Sequence, residues 1–199
     1  MATELASVNQ ILGAVGQAPV NSLTANNPEI SIALDTLRSV AREVQAEGWS
    51  FNIEQEYPFL PNTDLEIVIP ANVLQMKLSY LPENRGVDVT RRDGKLYNKV
   101  DHTFKWTAGR EVKCDVVWEF DFTDVPQTFA DYITARAAVI ASASLIADTN
   151  QYKLLKDREL TTRAMALEAD LKEGQYSMFG FGSGMNLYNS YMPFRVISR

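Results

Sequence analysis

The sequence predicts an α+β protein: an antiparallel helical bundle with an inserted small antiparallel β module and an extended C-terminal arm. Apolar residues recur at helical spacing in residues 1–48 and again in residues 123–174. Residues 49–122 contain several prolines and stretches in which apolar and polar residues alternate, a pattern that favours strands. Residues 175–199 follow neither period. We therefore expect a bundle in two segments, one inserted module and a separate arm.

Composition and charge exclude several classes of protein. The chain has 199 residues, of which 46% are hydrophobic, and this length fits one domain or one domain with an insertion. The formal net charge of −6 argues against a dedicated nucleic-acid binder, which normally presents a basic face. The single cysteine, Cys114, excludes an internal disulfide, and the single histidine, His102, restricts metal and nucleophile chemistry.

The sequence also predicts where the protein is kept. Its first residues do not form the basic leader and apolar core of a secretory signal. The longest aliphatic stretch, residues 135–147, contains Arg136 and is too short and too polar to span a bilayer. We therefore expect a soluble, reducing compartment and no contact with a membrane.

The first segment is predicted to form a helix. Thr3 can cap its N-terminus, and Gly16 and Pro19 are stop signals. The apolar residues fall three or four positions apart and so share one face; they are Leu5, Val8, Leu12 and Val15.

The second segment has the clearest helical pattern in the chain. Asn27 is a good N-cap, and Pro28 stands at the first helical position, where its missing N–H leaves no bond unmade. Gly48 can take the left-handed conformation that ends a helix. The residues predicted to face the core are Ile30, Leu34, Leu37, Ala41 and Val44.

The middle of the chain is predicted to be a small antiparallel β module, because its prolines exclude a long helix. Residues 66–69 and 87–90 have the pattern of strands. The dipeptide at residues 93–94, Asp-Gly, suits a type I′ turn before a returning strand at residues 95–97. The cleanest alternation predicts a half-buried strand whose inner residues are Val112, Cys114, Val116 and Trp118.

Two further helices are predicted after Asp124. Pro126 stands near the start of the third helix, and the small residues in its apolar stripe would let a neighbouring helix approach closely, so we expect a central position. That stripe consists of Phe129, Ile133, Ala137, Ile140, Ser144 and Ala147. The fourth helix is expected from about residue 150 to residue 173, with Gly174 as its stop. Its predicted inner edge consists of Leu160, Ala164, Leu167 and Leu171.

Residues 175–199 have a composition unlike the rest of the chain. They contain six aromatic residues, three of the six methionines, two arginines and no acidic residue, so their charge is +2 and that of residues 1–174 is −8. Such a segment is too apolar for a solvated linker, and these residue types are enriched in the cores of interfaces. We therefore expect the arm to order against another chain. Its predicted contact residues are Tyr176, Met178, Phe179, Phe181, Tyr188, Tyr191, Phe194 and Arg195.

The sequence offers little support for nucleophilic catalysis. A Ser–His–acid triad would have to use His102, whose neighbours are typical of a polar link between strands. Ser183 lies between two glycines but misses the Gly-x-Ser-x-Gly spacing of a nucleophile elbow. The glycines around it also lack the Lys-Ser/Thr pair of a phosphate-binding loop. We expect Cys114 to be a buried, inert thiol.

Paired carboxylates leave an enzymatic alternative open. Glu54 and Glu56 are predicted to share one face of a strand, and Glu119, Asp121 and Asp124 cluster in the sequence. Two carboxyl groups about 5 to 9 Å apart can cleave a glycosidic bond when an apolar pocket raises the pKa of one of them. Solvated strand faces are the commoner reason for such patterns.

Several landmarks occur in the order that one known family shows. They are residues 5–12 (LASVNQIL), Gly16, residues 19–20, Leu23, residues 48–52 (GWSFN), residues 92–97 (RDGKLY) and residues 125–126. The series resembles tail tubular protein A, the head-to-tail adaptor of short-tailed phages (podoviruses), in order over most of residues 5–172. These landmarks are structural rather than catalytic.

The resemblance implies a structural virion protein that is made in the host cytoplasm and built into the tail. Members of that family form a dodecameric ring beneath the portal protein, join the head to the tail nozzle protein (tail tubular protein B) and help to carry the tail fibres. DNA passes through the ring without specific binding. The expected partners of the arm are the portal protein or a neighbouring subunit. We expect no catalytic, cofactor-binding or metal-binding residues.

Two rival functions follow from the same residues. A virion-associated glycan hydrolase would use Glu54 and Glu56, or Glu119 and Asp121. A binder of single-stranded nucleic acid would need aromatic residues beside a basic groove, and the two arginines of the arm are too few. For the adaptor, the acidic body leads to the hypothesis of a neutral or negative lumen, along which DNA slides without sticking.

Overall fold

The structure, a computed structural model, describes residues 3–24, 27–146 and 148–174. In this part of the chain, two helices precede the strands and two follow them, as the sequence predicts. The helices are α1 (Glu4–Ala14), α2 (Pro28–Ala46), α3 (Gln127–Leu145) and α4 (Thr149–Glu173). The strands are β1 (Ile53–Phe59), β2 (Val73–Leu78), β3 (Val89–Arg92), β4 (Lys95–Asn98) and β5 (Val112–Trp118). The predicted α+β class is confirmed.

The predicted ends of the first two helices are confirmed because their signals are local. The Thr3 hydroxyl oxygen accepts from the Ala6 N–H at 3.2 Å, and the Asn27 side chain accepts from the Glu29 N–H at 3.0 Å. Gly48, just after α2, has φ +78°. A Cβ at this position would also lie 3.3 Å from the Ile53 side chain, so glycine is favoured by conformation and by space.

The helical core lies between α1, α2 and α3, and α3 also packs against α4, which confirms its predicted central position. The predicted stripe of α3 is only partly correct. Its first half is buried, but Ile140 is 43% exposed and Ser144 is exposed, because the buried face continues through Ala138 and Ala141 instead. Ala147 lies outside the described residues.

The predicted inner edge of α4 is wrong. Leu160, Leu167 and Leu171 are 56%, 45% and 62% exposed, whereas Glu159 and Ala166 are buried. Helix α4 meets α3 through a small residue and polar side chains, so its apolar residues do not mark the side that faces the body. Its bounds agree with the prediction within one residue.

The strands form two antiparallel sheets, one with the order β1-β5-β2 and one made of β3 and β4. Buried and half-buried residues alternate along β5, which confirms its predicted inner face. Asp93 and Gly94 have φ +50° and +70°, the signs that the predicted type I′ turn requires. The β module has a second hydrophobic core of its own. Its buried side chains are Phe59, Ile67, Ile69, Val73, Leu96, Trp106, Val112, Cys114, Val116 and Trp118.

The predicted strand at residues 66–69 is wrong. This segment is extended and buries Ile67 and Ile69, but it makes only isolated bridges. Its backbone bonds and those of Leu65 beside it are divided between two neighbours: the Ile69 N–H donates to Gly94, and Leu65 accepts from the Trp106 N–H. Because neither side forms a continuous ladder, no regular strand results.

Candidate functional site

The carboxylates of the hydrolase alternative lack the environment of a catalytic acid. The β1–β5 register shifts between Glu54 and Tyr57, and Glu56 has φ +57°, so the prediction that Glu54 and Glu56 share a regular strand face is wrong. Glu119 forms an ion pair with Arg42 at 3.6 Å, and Asp121 is exposed. None of these four carboxylates is buried, whereas a glycosidase needs one in an apolar pocket.

The single histidine and the single cysteine are placed as predicted. His102 is exposed, in a turn where its φ is +53°. Cys114 is buried in the second core, and burial, with the nearby charge of Asp115, raises the pKa of its thiol to about 12. The thiol is therefore protonated and inert at neutral pH. Among the described residues, no group of three or more His, Cys, Asp and Glu side chains could hold a metal ion.

The predicted contact residues of the arm lie outside the described residues, and so does Ser183. They are Tyr176, Met178, Phe179, Phe181, Tyr188, Tyr191, Phe194 and Arg195. Their assignment to an interface stays a prediction.

Two arginines and their partners tie three helices together; we call this group the arginine cluster. Arg136 of α3 contacts Glu43 at 2.5 Å and Glu47 at 3.5 Å, both on or just after α2. Arg163 of α4 contacts Glu47 at 3.1 Å, and both arginines donate to the Tyr132 hydroxyl. Burial lowers the pKa of Arg136, but Tyr132 and the two glutamates outweigh it and raise that pKa above its ordinary value.

A groove of about 720 Å³ lies between α3 and α4, beside the arginine cluster. Ile140 and Tyr152 line it together with Arg136, Lys156 and Arg163. Its cations already have partners, because both arginines are paired with glutamates and Lys156 contacts Glu159 at 2.6 Å. The groove therefore has the character of a helix–helix junction held by ion pairs.

Two side-chain amides join the helical core to the sheet, a role that the sequence pattern does not show. The Gln45 side chain at the end of α2 donates to Phe120 O at 3.1 Å and accepts from its N–H at 2.8 Å. The Asn52 side chain donates to Gln45 O and Trp118 O, each at 2.9 Å, and accepts from the Trp49 N–H at 2.8 Å. In the sequence, a polar residue (Gln45) beside the apolar face of α2 was the one feature that could have indicated this junction.

The exposed apolar row on α4, which we call the α4 stripe, is the clearest unpartnered surface of the described chain. It consists of Leu160, Ala164, Leu167 and Leu171, all exposed and spaced four, three and four apart. Single exposed leucines are ordinary, but a contiguous row on one helix marks an interaction surface. The observed surface suits assembly more than catalysis.

A comparison with known protein families identifies the family of this chain. A model of the family described as tail tubular protein matches residues 5–176. The chain belongs to the tail tubular protein family. This confirms the resemblance, and the match spans both cores and, from residue 5 onward, the described helices. A search of the curated proteins found no match.

Membership of the tail tubular family makes the chain a structural component of a phage tail. In the ranges that the structure describes, no helix has both the length and the apolar character needed to cross a bilayer. The matched residues include the junction of Gln45 and Asn52, the arginine cluster and the α4 stripe. These features stabilise the subunit or remain available for assembly.

Proposed function

We propose that this chain is the head-to-tail adaptor of a short-tailed phage. In this proposal twelve copies form a ring between the portal protein and the nozzle protein (tail tubular protein B). The ring carries the tail fibres and lets DNA pass through its centre, and the subunit needs no catalytic centre for this work. The observation that carries the proposal is the family match over residues 5–176.

The surface of the subunit supports assembly into a ring. A closed ring of identical copies needs heterologous contacts, in which two different surfaces of each subunit meet. The α4 stripe leaves an apolar surface on one side of the bundle, and 15 large hydrophobic residues are exposed by more than a third in the described chain. Subunits that remain monomeric rarely leave a contiguous surface of this kind uncovered.

The arm is proposed to be the segment that joins the head. Its aromatic side chains, with Phe179, Phe181, Tyr188, Tyr191 and Phe194 as anchors, would bury against the portal protein or a neighbouring subunit. The division into a bundle (residues 1–48 and 123–174), a β module (49–122) and an arm (175–199) belongs to the same proposal. The two separate hydrophobic cores support it, although Trp49 packs in the helical core.

Removal of the arm tests this proposal. A chain that lacks residues 175–199 is expected to fold, because both described cores lie before residue 175, but not to join the portal protein. Circular dichroism measures folding, and electron microscopy of the chain mixed with purified portal measures ring formation. A truncated chain that still forms rings on the portal would refute the role of the arm.

Matched substitutions test whether joining requires the predicted contact side chains of the arm or only the presence of the segment. Replacing Phe179, Phe181 and Phe194 by serine should abolish joining, since it removes three predicted anchors. Replacing Ser177, Ser183 and Asn189 by alanine changes the same segment outside the predicted contacts and should leave joining intact. If both triple variants behave alike, the anchors are wrongly assigned.

A further inference from the structure

The α4 stripe has the pattern of a buried helix face, yet no described element covers it. Leu160, Leu167 and Leu171 are exposed by 56%, 45% and 62% of their surface. An apolar row at this spacing normally faces a partner. Helix α4 already meets α3 through a different face, which buries Glu159 and Ala166, so the stripe is free for a second contact.

The chain continues directly from the end of this stripe. Leu171 precedes Gly174, the C-cap of α4, by three residues, and residues 175–199 follow at once. The stripe is about 16 Å long from Leu160 to Leu171, at the helical rise per residue. A segment of 25 residues reaches up to about 80 Å when extended, so it can turn back and run along the whole stripe.

The composition of the continuing segment suits this surface. Residues 175–199 contain six aromatic residues and three methionines, side chains that pack well on exposed leucines. They contain no acidic residue, and their charge of +2 opposes the −8 of residues 1–174. Because the segment is tethered beside the stripe, its effective concentration there is on the order of millimolar, well above that of a free second copy.

We propose that residues 175–199 fold back and cover the α4 stripe of their own chain before the subunit is assembled. The arm then hides an apolar surface in the isolated subunit and is released when it finds its contact in the particle. The stripe is therefore a docking site for a segment of the same chain, which keeps unassembled subunits from associating prematurely. This inference goes beyond the adaptor role: the docking of the arm on the stripe does not depend on that role, and only its release on assembly rests on the proposed function.

Limited proteolysis of the full chain tests the inference. Chymotrypsin cleaves after the aromatic residues of the segment, and its rate follows the population of the undocked arm when docking is fast. The variant carrying Leu167→Ser and Leu171→Ser should be cleaved within residues 175–199 about tenfold faster than the parent chain. Mass spectrometry identifies the cleaved bonds, and circular dichroism shows whether the total helix content is unchanged.

A matched pair of substitutions on the same helix is the control. Leu154 and Met165 are 72% and 55% exposed but lie outside the stripe, so replacing both by serine should change the cleavage rate by less than about twofold. Equal acceleration by both pairs would overturn the inference. So would an arm that is cleaved in the parent chain as fast as a synthetic peptide of residues 175–199.

Dilution distinguishes the same chain from a second copy. Protection by the same chain is independent of protein concentration, whereas protection by another copy falls on dilution. A cleavage rate that stays constant over about a hundredfold range of concentration supports the inference, and a rate that rises on dilution overturns it. Binding to the portal is a separate measurement, so the adaptor proposal can fail or hold independently.

Discussion

Asn52 joins the helical core to the sheet. It is 1% exposed, and its amide contacts the helical core on one side and the sheet on the other. The sequence places it in one of the family landmarks but does not show this role. Its partners Gln45 and Trp118 lie 7 and 66 residues away. Local sequence patterns carry no information about a pair as distant as Asn52 and Trp118.

We predict that Asn52→Ala destabilises the chain by about 1 to 3 kcal/mol, because it removes the acceptor of the Trp49 N–H and one donor each to Gln45 O and Trp118 O. Urea unfolding followed by circular dichroism measures the loss. The control is Asn72→Ala, at an exposed asparagine, which should change the free energy of unfolding by less than about 0.5 kcal/mol. Similar losses in the two variants would show that Asn52 does not join the two cores.

At the scale of elements, the sequence predicts best where its signals are local. The caps of α1 and α2, the type I′ turn and the alternation of β5 each depend on neighbouring residues, and all are confirmed. The orientation of α4 depends instead on distant polar contacts. In the first turn of α4, the Gln151 side chain donates to Ala14 O. Near the end of the helix, the Asp170 carboxylate accepts from the Ser50 N–H at 2.7 Å.

We predict that Asp170→Ala loosens the end of α4. The charged hydrogen bond to the Ser50 N–H is worth about 1.5 to 3 kcal/mol, and its loss should speed amide exchange in residues 160–173. Hydrogen exchange read by mass spectrometry measures this. Asp157→Ala removes an exposed carboxylate from the same helix and gains the same helix propensity, about 0.5 kcal/mol, so exchange there should not increase. Equal exchange in both variants would contradict the docking role of Asp170.

At the scale of the whole molecule, the class, the order of elements and the family could be predicted from the sequence. The family could be predicted because its landmarks are sites where the fold demands a residue type: Gly48 has a left-handed backbone, and Asp93 and Gly94 form the hairpin turn. The position of a surface used in assembly could not be predicted from such local residue requirements. An apolar stripe on α4 indicates burial, but it does not show whether the burial occurs within the subunit or after assembly.

The charge of the whole molecule leads to the last prediction, which concerns DNA. With a net charge of −6, the chain should not bind duplex DNA at physiological salt, because such binding requires cations that neutralise phosphates. Fluorescence anisotropy of a labelled duplex, with the chain alone and with the chain assembled on portal, measures this. Binding that weakens steeply as salt rises would reveal a basic lumen and refute the hypothesis that DNA slides along a neutral or negative surface.

Single-stranded DNA gives the matching control, because the arm combines aromatic residues with Arg195 and Arg199. If the arm serves protein contacts, the full chain and the chain without residues 175–199 should both fail to bind it. Binding that disappears with the arm would instead favour recognition of single strands by stacking. The two DNA forms therefore report on different parts of the molecule: the duplex tests the charge of the assembled ring, and the single strand tests the chemistry of the arm.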